Sequence, residues 1–218
     1  MADLGSEGKI LQCKLNMQGL SLRSVCGFYT TTRRIGRTGT QTRRGRDYST
    51  SVPGTVGEME IDNRADTTVF GANFTAISFT GQSCDVQAFH ESLPTERDVP
   101  IASAATAYDD PETGDTIILE FNQGLWFGPT MKHSLVNPNQ CRMHGIDLCD
   151  DPFDKHRGLR IKDDVSGLTV PLRFTKCVVG VTTRAPSYGE IEDAKKEGRY
   201  IEMTSESTWT LLQCQLIH

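Results

Sequence analysis

Ile61-Asp62-Asn63-Arg64-Ala65-Asp66-Thr67-Thr68-Val69-Phe70 is the stretch from which the rest of the chain is read. Two carboxylates, Asp62 and Asp66, flank Ala65 directly behind the run Val56-Gly57-Glu58-Met59-Glu60-Ile61. Met59 and Ile61 alternate there with Glu58 and Glu60, the period of two expected of a strand with one buried face. Asp62 then falls where the strand gives way to a turn, a place from which a carboxylate can point into a cleft. Asp-Asn followed by Arg is also ordinary turn chemistry, and Asp66-Thr67 can simply cap the next turn.

A second informative stretch is His133-Ser134-Leu135-Val136-Asn137-Pro138-Asn139-Gln140-Cys141-Arg142-Met143-His144-Gly145-Ile146. It reads as a short helix over residues 138 to 144 with both ends marked. Asn137 can cap it, Pro138 suits the first position, Gln140 completes a capping box, and Gly145 supplies a left-handed stop. Between the two stretches, Asp109-Asp110-Pro111-Glu112-Thr113-Gly114-Asp115 separates two strand-like runs and predicts a hairpin. Leu125-Trp126-Phe127-Gly128 predicts a further strand, with its two rings lining the core or a substrate pocket.

These segments carry a resemblance. An apolar residue, Asp, Thr or Ser, Gly, Ala, Asp, Thr or Ser is the active-site pattern of retroviral-type aspartic peptidases. Ile61, Asp62, Ala65, Asp66 and Thr67 match it, and Asn63 and Arg64 depart from it. Ser134-Leu135-Val136 with Gln140 and Gly145 resembles the segment that follows the flap in copia-type retrotransposon peptidases. The resemblance implies an all-β, retropepsin-like acid-protease barrel with one short helix and a β-rich C-terminal extension. It implies that Asp62 is catalytic and that Asn63, Arg64, Ala65, Asp66 and Thr67 support the loop and hold substrate. The hairpin Asp110, Pro111, Glu112, Thr113 and Gly114 becomes the candidate flap, a mobile lid over an extended peptide. An ordinary surface hairpin reads equally well from residue types alone.

The chemistry requires two carboxylates sharing one proton, since like charges about 3 Å apart cannot both ionise. One acts as base toward water and the other as acid toward the peptide carbonyl. The chain has one segment of this kind, so the second Asp is expected from another copy in a two-fold homodimer. The expected substrate is the chain's own polyprotein, with no cofactor and no metal. In the family a hydroxyl follows the catalytic Asp and a Gly follows that. Asn63 offers an amide instead, and Arg64 brings a Cβ that strains the turn if its φ is positive. The alternative is a catalytically dead retroelement remnant that serves as a dimerisation or RNA-binding module.

Composition sets the frame. A chain of 218 residues allows one domain plus extensions, and many short strand-like runs between Gly, Pro, Asp and Asn turns point to an all-β class. The expected division is a basic, flexible segment over 1–56, a peptidase core over 57–148, and an extension over 149–218. The net charge of −5 hides a basic run holding Arg33, Arg34, Arg37, Arg43, Arg44 and Arg46 without an acid. Its Thr- and Gly-rich composition predicts a solvated linker, or an arm contacting RNA phosphates. In the extension, strands are expected at 159–161, 168–174 and 177–183, and a helix capped by Ser187 at 188–196. No run has the length of a membrane span, and Met1 to Lys9 is not expected to act as a secretory signal. The seven irregularly spaced cysteines fit reduced thiols in a cytoplasmic, intracellular-particle setting. Cys141, His144 and Cys149 lack paired metal-ligand spacing, and the acidic pairs at 109–110, 150–151 and 163–164 read as turn residues. Asn73-Phe74-Thr75 fits a glycosylation triplet, expected to stay unmodified without a secretory route.

Overall fold

The computed structural model describes residues 30–34, 50–87 and 94–209. In chain order the strands are β1 (Thr30–Arg34), β2 (Val56–Ile61), β3 (Val69–Phe70), β4 (Thr75–Gln87), β5 (Glu96–Asp109) and β6 (Thr116–Trp126). There follow β7 (Ser134–Val136), α1 (Pro138–Met143), β8 (Asp147–Cys149), β9 (Arg160–Lys162), β10 (Thr169–Pro171) and β11 (Arg173–Thr175). β12 (Val178–Arg184), α2 (Tyr188–Glu197) and β13 (Tyr200–Glu202) complete the described chain. It is mostly β-sheet with two helices, an all-β architecture. No helix among the described residues is long and apolar enough to cross a membrane.

A 10-stranded sheet runs β1-β4-β5-β12-β2-β7-β3-β6-β13, with β11 pairing β12 off this path, and a small sheet runs β10-β9-β8. An added pairing of β5 with β6 joins two interior members of the large sheet, so that β5, β12, β2, β7, β3 and β6 form a circuit. β7 lies between β2 and β3, parallel to the first and antiparallel to the second. The chain therefore leaves β2, turns over the end of β7, and returns on its other side.

β2 follows its pattern. Gly57, Met59 and Ile61 are buried while Val56 and Glu58 face solvent. β5 and β6 show no such alternation, because both of their faces are covered. Ala102, Ala104, Leu119 and Phe121 pack inward with Phe70, Phe74 and Trp126, while Ala105, Ala107 and Ile118 meet Ile191 and Ala194 of α2 on the outside. Strands buried on both faces read as continuous apolar or small-residue runs. α2 keeps its expected start, with a full capping box between Ser187 and Glu190, and ends at Gly198 in the left-handed region.

Three expectations change here. Residues 149–218, expected as an extension, supply β12 to the middle of the large sheet, where it pairs with β2 from Val179–Ile61 to Arg184–Val56. Strands from both sides of position 149 therefore share the large sheet. Thr30–Arg34, expected to be unstructured, pairs with Gln87–Ser83 of β4. The strand expected through Gly128 ends at Trp126, where Phe127 opens a 3-10 turn over Gly128–Thr130.

Candidate active site

Asp62 follows β2 immediately and extends its ladder by one rung, its N–H donating to the Val136 carbonyl at 2.9 Å. Its Oδ1 accepts the Arg64 N–H at 2.9 Å, and its carbonyl accepts the Ala65 N–H at 3.2 Å. The result is a tight Asx-type turn with a half-buried Asp62 and exposed Asn63 and Arg64. Arg64 is not among the residues of positive φ, so it brings no left-handed strain to the turn.

The second half of the loop is anchored from below. Thr68 is wholly buried, and both its N–H (2.7 Å) and its Oγ1 (2.8 Å) donate to Gln140 Oε1. The Asn137 N–H donates to Thr68 Oγ1 at 3.2 Å, and Asn137 Nδ2 donates to the Ala65 carbonyl at 2.8 Å. Thr67 Oγ1 donates to the carbonyl of Gln123 at 3.1 Å. Gln123 stands at φ 60 beside a register shift between β5 and β6, and that irregularity accompanies the carbonyl that meets the loop. The expected capping box of α1 is thereby replaced. Asn137 does cap the helix, accepting the Asn139 N–H, but Gln140 serves the loop rather than the Asn137 N–H.

Asp66 is half-buried, and its carboxyl is pushed from an ordinary 3.8 up to about 6 by burial. Burial is the cause of that shift. The Trp209 indole Nε1–H donates to the Asp66 carbonyl at 2.8 Å. A folded-state pKa above the unfolded value means that the native state holds its proton longer. Stability from this group is therefore full below about pH 4, falls as pH rises to about 6, and is constant above. Asp66→Asn should flatten the pH dependence of the melting temperature in that window. An unchanged slope between pH 4 and 6 would show that another group carries it.

The candidate flap has a different neighbourhood. Asp110 Oδ1 accepts the Glu112 N–H, its Oδ2 accepts Thr113 Oγ1–H, and Gly114 sits at φ 78. Pro111 lines a cavity of about 240 Å³ with Val56, Tyr108, Arg173, Val181 and Arg184. Arg184 of β12 clamps Asp109 through both carboxylate oxygens (2.7 and 2.9 Å) and also reaches Glu190 of α2 at 2.7 Å. These charge-assisted bonds hold both carboxyls below their usual range. These contacts tie the base of the hairpin to β12 and α2.

Of the basic run, Arg33 and Arg34 belong to β1, and Arg37, Arg43, Arg44 and Arg46 lie outside the described residues. Cys141 is fully buried in the core, its thiol pushed up to about 12 by burial. Among the described residues no three His, Cys, Asp or Glu side chains gather as a metal site. Asp151 and Asp163 accept backbone N–H groups within their own turns, and Asp150 pairs with Arg142. Asn73 is wholly buried, tied to Ser134 and Thr183, and so offers no accessible amide for a glycan. Sequence reading missed Thr68, Gln123 and Trp209 as parts of the loop. The one available signal was the pair Asn137 and Gln140, polar residues three apart on a one-turn helix.

No protein-family model, curated protein or solved structure matches the chain.

Proposed function

We propose that the chain is an aspartic endopeptidase of retropepsin-like barrel type, completed by a second copy of itself. The observation that carries this reading is the loop at 62–68, with Asp62 on a tight turn at the end of β2 and Thr68 and Ala65 fixed by α1. Such anchoring suits a carboxylate that must keep its place while a proton moves. The circuit of strands around a packed aromatic interior supports the barrel reading. Because the chain carries one segment of this kind, the dyad comes from Asp62 of two chains across a two-fold axis.

In the working dimer one Asp62 is ionised and takes a proton from a water, while the other is protonated and gives its proton to the peptide carbonyl. Water attacks directly, so no covalent enzyme intermediate and no metal enter the reaction. The substrate class is an extended polypeptide, with the chain's own polyprotein as the first candidate. Asn63 and Arg64 follow the carboxylate in the turn and are exposed, which suits contact with a partner loop and substrate.

The test is cleavage of an unfolded polypeptide by the full chain between pH 3 and 7, beside its solution mass. The wild type should give a bell-shaped profile with an acidic optimum and a dimer mass. Asp62→Asn should lower turnover by about a thousandfold, within the range of positioned acid–base groups. Equal cleavage by the variant would remove Asp62 from the chemistry. No wild-type turnover at any pH would leave the non-catalytic module as the reading.

A further inference from the structure

The chain after β13 stays tied to β6 and then leaves it for the loop at 62–68. Met203 N–H donates to the Glu120 carbonyl at 2.7 Å, and Thr204 Oγ1 both accepts from the Asn122 N–H and donates to its carbonyl. Gln123 Nε2 then donates to the Glu206 carbonyl at 3.0 Å. Met203 and Thr204 are buried, but Ser205, Glu206, Ser207 and Thr208 are exposed. An exposed stretch of this kind has little apolar burial to hold it in place. It nevertheless brings a half-buried indole back onto the loop, with Nε1–H on the Asp66 carbonyl. Gln123 is the shared point, since its carbonyl accepts from Thr67 and its side-chain amide donates to the segment.

We propose that Trp209 is a positioning residue of the loop at 62–68, and that residues 203–209 form a strap that holds the Asp66 side of this loop in place. The strap works on the backbone: it fixes the carbonyl of Asp66 while α1 fixes Ala65 and Thr68, so the turn carrying Asp62 is gripped on two sides. Lifting the indole frees Asp66, opens its carboxyl to water and loosens the turn ahead of it. The charged groups on the elements involved are Asp62 and Arg64 of the loop, Glu206 of the strap and Glu120 of β6. The residues of α1 that reach the loop, Asn137 with its cap position and Gln140, are neutral. Water access, rather than a change of charged partner, therefore sets how Asp66 responds.

The proposal does not depend on the peptidase chemistry, and its test reads titration rather than turnover. In the full chain, Trp209→Ala and Trp209→Phe are compared with wild type by carbon NMR of the Asp66 carboxyl, assigned through Asp66→Asn. Trp209→Ala should move the Asp66 midpoint from about 6 toward 3.8. Trp209→Phe, which keeps a ring and loses the N–H, should fall between the two. Amide exchange at Ala65 to Thr68 should rise about tenfold or more in the alanine variant, as expected of a locally freed segment. A merely structural role would lower the melting temperature and leave the Asp66 midpoint near 6 in both variants. That outcome overturns the strap. Should the alanine variant fail to fold, the phenylalanine variant alone decides: a midpoint unchanged from wild type overturns the proposal and a lowered one supports it.

Discussion

Gln140→Met should cost the fold about 3 kcal/mol, because two donors of a buried threonine then lose their only common acceptor. Gln140 Oε1 takes both the N–H and the Oγ1–H of Thr68, and neither residue is more than slightly exposed. Methionine has nearly the same length and flexibility, so the change removes the acceptor while disturbing volume little. Thr68 Oγ1 also accepts the Asn137 N–H, so the hydroxyl can turn but the backbone N–H cannot find a new partner. For a chain of this size the melting temperature should drop by roughly 6 to 12 °C. If the chain is the proposed peptidase, turnover of the folded variant should fall by about a hundredfold, as expected of a reacting group displaced by about 1 Å. A melting temperature within about 2 °C of wild type would show that water or another side chain replaces the amide.

Gly71→Ala should be comparably damaging for a different reason. A Cβ there would stand 2.4 Å from the His133 carbonyl oxygen and 2.6 Å from that of Met131. Both obstacles are backbone, and both are held. The Met131 carbonyl accepts the Ala72 N–H at 2.7 Å, and the Gly71 N–H donates to Ser134 Oγ, which in turn donates to buried Asn73. Asn73 continues the network to Thr183 of β12. Moving the segment at 131–134 away would strain this polar chain and lift β7 from its place between β2 and β3. An overpacking cost of about 3 kcal/mol follows, read as a lower urea midpoint with an unchanged slope. A changed slope would point instead to altered compactness of one of the two states.

Local chemistry was the part of this fold most legible in the amino acids. The alternation of Met59 and Ile61, the turn at Asp62, the caps at Asn137 and Ser187 and the stop at Gly145 each depend on near neighbours, and each is present. What escaped reading depends on distant partners. β5 was legible as a strand-like run before the hairpin, but not its burial on both faces, since α2 closes its outer face and its alanines carry no period. Gln140 looked like half of a capping box because the residue it serves, Thr68, lies 72 positions away. Arg184 showed nothing of its clamp on Asp109, which is 75 positions earlier. The basic run was read by composition, yet its first residues find an edge to pair with on β4. The hairpin at 110–114 was recognised as a hairpin, while its neighbours were set by β12.

The placement of β12 bears on how the molecule is made. Glu58 and Thr182 meet across the β12–β2 ladder although 124 positions separate them. A nascent chain exposes β2 long before its partner has been synthesised, and such late, non-local closure slows folding and leaves an unpaired edge open to other chains. Premature termination anywhere upstream of residue 178 should therefore yield sticky, aggregation-prone fragments instead of a smaller working domain.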